Sequence, residues 1–194
     1  MCKPQSVSKT TGPSVRHGRK GNFVSNDEGS TVIEFSMLAL PFTLLIFAIL
    51  ESCISFAGQQ LLANSTDRVA RMLRTGQIKA VEMTETRLRT EICNDIEIIV
   101  ASGCPGLEVD LREFPSFAAA AAETIKYTGS GDNRDIDTTG FDVKPGKSLS
   151  KNMLRVFYRW PIMTDIMRKR ISTLKGGTTL HFASVTWQNE PYDD

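Results

Sequence analysis

The residue types able to do chemistry are few and scattered. The chain has two histidines and four cysteines among 194 residues. His17 and His181 stand alone, and Cys2, Cys53, Cys93 and Cys104 form no Cys-x-x-Cys pair, so no zinc-ligand spacing exists. No Walker loop and no GxGxxG turn occurs. His181 has no nucleophile elbow to serve and reads as a strand side chain. The stretch from Gly129 to Asp137 is rich in oxygen ligands but lacks the twelfth-position glutamate of a calcium loop, so it reads as a solvated turn. These patterns point away from an enzyme and call for neither cofactor nor metal. Two acids stand out instead, Glu34 and Glu51, because they bracket a stretch with no charge at all.

That stretch, Phe35 to Leu50, is sixteen residues long, and after Glu51 the uncharged run resumes from Ser52 to Thr66, staying apolar to Phe56. As a helix over Phe35–Ala57 it is long enough to cross a hydrocarbon core of about 30 Å at roughly 1.5 Å per residue. Leu38 to Leu50 shows no polar face at helical spacing, which a buried core helix would have. The run begins too late for a secretory signal, and the helical pattern continues past it. The expectation is one helix over 30–75, from about Thr31 to about Leu73, with a transmembrane segment over 35–57 and a C-cap at Gly76. Pro41 removes a backbone donor and predicts a kink, which a membrane helix tolerates.

Residues 1–29 form a polar leader with five Lys or Arg before Asp27 and Glu28. The whole chain balances 23 cations against 22 acids, which argues against a nucleic-acid partner. Counting Lys3 and Lys9 with Arg16, Arg19 and Lys20 tips the positive-inside comparison with Arg68, Arg71 and Arg74 toward a cytoplasmic N-terminus. The leader ends in Gly29-Ser30-Thr-Val-Ile-Glu34-Phe35. Thr31-Val-Ile-Glu34 fits a capping box. The same residues resemble a type IV prepilin processing signal, which implies cleavage between Gly29 and Ser30 by a membrane prepilin peptidase. A carboxylate at a bilayer edge needs a partner. The new ammonium of Ser30 on a neighbouring subunit would supply one for Glu34 and set axial register, with Phe35 opening the apolar helix.

Residues 27–76 resemble the TadE-like family of the tight-adherence pilus system. Glu28-Gly29, Val32-Ile33-Glu34-Phe35, Leu40-Pro41, Leu50-Glu51, Ala70-Arg71 and Thr75-Gly76 carry the resemblance, with Trp187-Gln-Asn-Glu190-Pro-Tyr192 adding to it at the other end. The resemblance implies a minor pseudopilin acting in pilus assembly and adhesion. Its partners would be the prepilin peptidase, other pilin-like subunits, assembly-platform proteins and the membrane. It would be a single-pass protein of the bacterial inner membrane, N-terminus cytoplasmic and C-terminal domain periplasmic. The alternative is an uncleaved, singly anchored periplasmic module that docks another envelope protein. Glu51 lies about 25 Å along the helix from Glu34, near the far interface. It reads as a snorkelling acid or as an inter-subunit contact with Arg68 or Arg71 of a neighbouring helix.

Residues 76–194 read as an α+β domain, a small antiparallel sheet with one or two packed helices. Val81–Ala101 has helical spacing, while Leu107–Phe114, Leu154–Trp160 and Thr178–Trp187 alternate as strands. Short pieces follow at Ala118–Ala122 (helix), Phe141–Val143 (strand) and Ile162–Ile171 (helix), with Tyr127–Gly140 as a loop. Cys93 and Cys104 form the candidate disulfide in an oxidising compartment, provided the chain folds back at Gly103.

Overall fold

The computed structural model describes residues 28–192, with side chains from Thr31. The leader up to residue 27, with Cys2 and His17, lies outside the described residues. Contacts divide the chain into a unit Met1–Thr43 and a unit Leu44–Asp194. In the first, every described residue belongs to helix α1 (Glu28–Arg74). The helix starts three residues before the expected Thr31, at an acidic residue that suits the positive end of the helix dipole. Thr31 is therefore inside the helix and not at its N-cap. The helix also continues through Pro41 without interruption.

In the second unit α1 stops where expected. Thr75 N donates to Arg71 O (3.0 Å), Gly76 N to Leu73 O (3.2 Å) and Ile78 N to Met72 O (3.2 Å). Gly76 turns the chain with φ of +71°, a left-handed conformation that glycine adopts without strain.

Helix α2 (Glu85–Ile96) is shorter than the predicted Val81–Ala101. Thr84 starts it, its side chain accepting from Arg87 N, while the 3-10 turn Ala80–Glu82 precedes it. Past the helix end Gly103 and Cys104 both take positive φ, 76° and 48°, and the chain folds back on itself. Cys93 and Cys104 are joined as a disulfide with Cα atoms 5.8 Å apart.

The main sheet has strand order β4-β1-β5-β6. Strands β1 (Leu107–Phe114), β5 (Lys151–Pro161) and β6 (Thr178–Gln188) pair antiparallel, as their alternation predicts. The sheet is nonetheless mixed, because β4 (Val143–Lys144) pairs parallel with β1, Leu111 opposite Val143. The chain reaches β4 after helix α3 (Phe117–Ala121) and a hairpin of β2 (Tyr127–Thr128) and β3 (Asp135–Ile136). That excursion returns it to the free edge of β1 in the same direction. The segment expected as a loop thus holds two short strands. Helix α4 (Asp165–Ile171) links β5 to β6.

Both sheet faces are covered. On one, Leu107, Val109, Leu111, Leu154, Val156, Tyr158, Trp160, Ala183 and Trp187 pack with α1 residues Leu62, Val69, Ala70 and Leu73 and α2 residues Leu88, Ile92 and Ile96. On the other, Phe157 stands between Phe141 and Phe182, ring centroids 5.1 and 4.9 Å away, beside Ile136 and Leu174. The same face buries an ion pair: Arg155 donates to Asp110 Oδ2 through Nη2 (2.6 Å) and Nε (2.9 Å). Arg112 and Glu123 complete the cluster, Arg112 to Asp110 at 2.8 Å and to Glu123 at 3.1 Å. Asp135, expected in a solvated turn, is buried and bonded to Arg159 (2.9 Å) and Lys175 (2.9 Å). Burial alone would raise its pKa, but these cations bring it down to about 2.

Asp110→Ala would leave Arg155 buried without its main carboxylate. We expect a loss of about 3 kcal/mol in denaturation of the detergent-solubilised chain followed by tryptophan fluorescence.

Candidate functional site

The processing segment lies at the start of α1. Gly29 and Ser30 both have helical backbone, so the expected cleavage point falls in the first turn. From Val32 to Leu50 the large apolar side chains, Phe35 among them, are exposed, as is Glu34. The helix is long and apolar enough to cross a membrane. Its few hydroxyls are satisfied internally: Ser36 donates to Ile33 O (2.9 Å), Thr43 to Leu40 O (2.9 Å) and Ser52 to Ala48 O (2.8 Å). Each relieves the need for water that a hydroxyl would otherwise bring into an apolar layer.

From Glu51 on, one stripe of α1 is covered by the domain. Glu51 Oε1 accepts from Met163 N (2.5 Å), and Oε2 accepts from Thr164 Oγ1 (2.5 Å). Thr164 N also points at both oxygens, 3.4 Å away. Thr164 is the N-cap residue of α4 and makes no side-chain cap bond; Glu51 instead holds the two amides that lead into the helix, those of Met163 and Thr164. One turn later Ser55 Oγ and His181 Nε2 share a hydrogen bond at 3.0 Å. His181 in turn stacks on Trp160, centroids 4.8 Å apart. Another turn later the Gln59 amide acts like a neighbouring strand: Nε2 donates to Phe182 O (2.8 Å) and Phe182 N donates to Oε1 (3.2 Å). Gly58 lets this approach happen, since a Cβ there would fall 2.8 Å from Trp160 Cη2. The transmembrane segment expected over 35–57 therefore has a protein-covered side in its last two turns.

Of the two arginines offered as one alternative partner for Glu51 on a neighbouring helix, Arg68 is engaged within its own chain. Arg68 donates to Asp95 (2.8 Å), to Glu91 Oε2 (3.4 Å) and to Glu91 O (2.8 Å), all on α2 of its own chain. Glu51 and Arg68 are thus both engaged within the chain, since each meets a complementary group of the domain. Arg71 is exposed and has no ion pair among the described residues. Arg74 meets Glu190 at 3.2 Å, and Glu190 N donates to Arg74 O (2.9 Å).

The C-terminal tail closes the end of α1. Asn189 accepts from Trp187 Nε1 (2.7 Å) and donates to Gly146 O (3.0 Å), Lys147 O (2.8 Å) and Tyr192 Oη (2.9 Å). The Tyr192 ring lies over Gly76. Sequence reasoning missed this clamp and the polar stripe. The signal for the stripe was present: Glu51, Ser55 and Gln59 recur every four residues in an otherwise apolar helix. Among the described residues no three His, Cys, Asp or Glu side chains gather as a metal cluster.

Two outcomes test this junction. Glu51→Ala should cost about 1–2 kcal/mol, read as roughly tenfold faster amide exchange over residues 163–171. Burial pushes the His181 pKa from 6.5 down to about 4, so the unfolded chain binds a proton more readily. The His181 contribution to stability should be full above pH about 6.5, fall on the order of 3 kcal/mol between there and pH about 4, and be constant below, where the loss of the Asp135 ion pairs takes over. His181→Gln should flatten that slope in denaturation series across the same range.

The family model of TadE-like proteins matches residues 29–71. No curated protein and no solved structure matches the chain. The match begins at Gly29 and spans the apolar helix and the polar stripe, so this segment of the chain is similar to TadE-like proteins.

Proposed function

We propose that the chain is a minor pseudopilin of a tight-adherence pilus, cut by a prepilin peptidase between Gly29 and Ser30. It acts structurally in pilus biogenesis and adhesion. The observation that carries this reading is the family match beginning at Gly29, the residue that would flank the cut. The exposed apolar surface from Val32 to Leu50 supports it, because such a surface needs acyl chains or other helices to cover it. In this reading α1 lies among the helices of other pilin-like subunits and assembly-platform proteins. Glu34 meets the ammonium that cleavage creates on a neighbour, and Phe35 begins the lipid-facing run. A carboxylate at the bilayer edge is retained because that ammonium neutralises it.

Residues 1–29 are then a cytoplasmic leader, and residues 76–194 a periplasmic domain of a single-pass inner-membrane protein. The Cys93–Cys104 disulfide fits an oxidising compartment. Arg71, exposed and beside the occupied Arg68, is the arginine left to meet another subunit.

N-terminal mass spectrometry of membrane-extracted protein should give Ser30 as the first residue. Gly29→Asp should retain the leader. Glu34→Ala should be processed normally but fail to enter pili, scored by shear fractionation. A wild-type chain that keeps its leader in piliated cells would replace this reading with that of an uncleaved, anchored docking module.

A further inference from the structure

Helix α4 carries a surface that the domain's core does not use. It contributes no buried residue. Met163, just before it, is 72% exposed and Ile166 is 59% exposed. Ile166, Lys169 and Arg170 share a helix face by their spacing of three and four, and Met163 precedes Ile166 by three. Lys169 and Arg170 are exposed and have no ion pair among the described residues. Arg168 differs, being turned back to Ile162 O (3.1 Å) and Asp165 (3.0 Å). The face therefore has apolar groups at its front and free cations behind.

Its position matters as much as its composition. Glu51 fastens the N-terminal end of α4 to α1 where the uncharged run ends. Beside this point Ile46, Leu50 and Ile54 of α1 are exposed apolar groups, so the apolar surface of α1 adjoins the attachment of α4. An element with apolar side chains on one part of a face and Lys or Arg on the rest suits the boundary between acyl chains and anionic headgroups.

We propose that α4 is a membrane-surface foot: Met163 and Ile166 enter the headgroup–acyl boundary of the bilayer that α1 leaves, and Lys169 and Arg170 contact anionic lipid phosphates. This rests on the reading of α1 as a membrane span. The occupant is lipid and not a second protein because the surface adjoins the exposed apolar helix and carries the two cations Lys169 and Arg170, while the one acid of α4, Asp165, is paired with Arg168. The foot sets the height and rotation of the domain over the bilayer. It also explains the position of Glu51, whose carboxylate is covered by amide donors and kept from acyl chains.

The test uses the full chain with Cys2→Ser and Cys53→Ser, the native disulfide kept, in vesicles of phosphatidylcholine with one third phosphatidylglycerol. Nitroxide labels at Ile166→Cys, Leu45→Cys and Asp132→Cys report collision with oxygen and with a nickel chelate. The Ile166 label should show severalfold less nickel access and more oxygen access than the Asp132 label. Lys169→Glu with Arg170→Glu, or vesicles of phosphatidylcholine alone, should reduce that difference. An Ile166 label as open to nickel as Asp132 overturns the foot, and so does one shielded from both reagents, which signals a protein cover. In either case an oxygen-rich Leu45 label leaves the membrane span standing. A Leu45 label open to nickel removes the span and the foot together.

Discussion

Glu51, Ser55 and Gln59 decide how the soluble domain meets its helix. Each lies one turn from the next, and each answers a different kind of group: the amides and hydroxyl of Met163 and Thr164 that lead into α4, the ring of His181, and the free backbone edge of β6 at Phe182. Hydrogen bonds at an apolar boundary have little water to compete with them, so a lost partner there leaves an unsatisfied polar group and not a solvated one. Farther along the same stripe polar contacts give way to Leu62, Val69 and Leu73, which enter the main core. A helix apolar on all sides thereby becomes one-sided within two turns.

The other end of α1 is held just as locally. Glu190, Asn189 and Tyr192 return the chain terminus to Arg74 and Gly76, and Arg68 reaches α2. The disulfide fixes the end of α2 near the start of β1. Within the unit Leu44–Asp194, one face of the sheet, α2, the start of α4 and the tail therefore close on α1.

Burying charge is the second constraint. Asp110 and Arg155 sit on inner positions of two paired strands, opposite each other in register. The pair persists because Arg112 and Glu123 supply further bonds to the same cluster, so no lone charge is left in a low-dielectric site. Asp135 with Arg159 and Lys175 repeats the device below the β2–β3 hairpin. Both networks put polar specificity on the face opposite α1, where the apolar cluster around Phe157 is small.

The elements with long, regular patterns were legible from composition and spacing. The apolar run predicted α1 and its end at Gly76, and alternation located β1, β5 and β6. A TadE-like segment could be read from Gly29, Glu34 and the helix after them. Two-residue strands have no period to read, so the β2–β3 hairpin and the parallel pairing of β4 were not visible. The alternation did not mark Asp110 and Arg155 as buried, because a strand pattern says which residues share a side and not what covers that side. Glu51 and Arg68 were expected to look outward for the same reason. The partner of Glu51, Thr164, is 113 positions away. Periodicity is a local property of the chain, whereas the pairing of groups so far apart is decided only when the sheet has formed and carries α4 back to the helix.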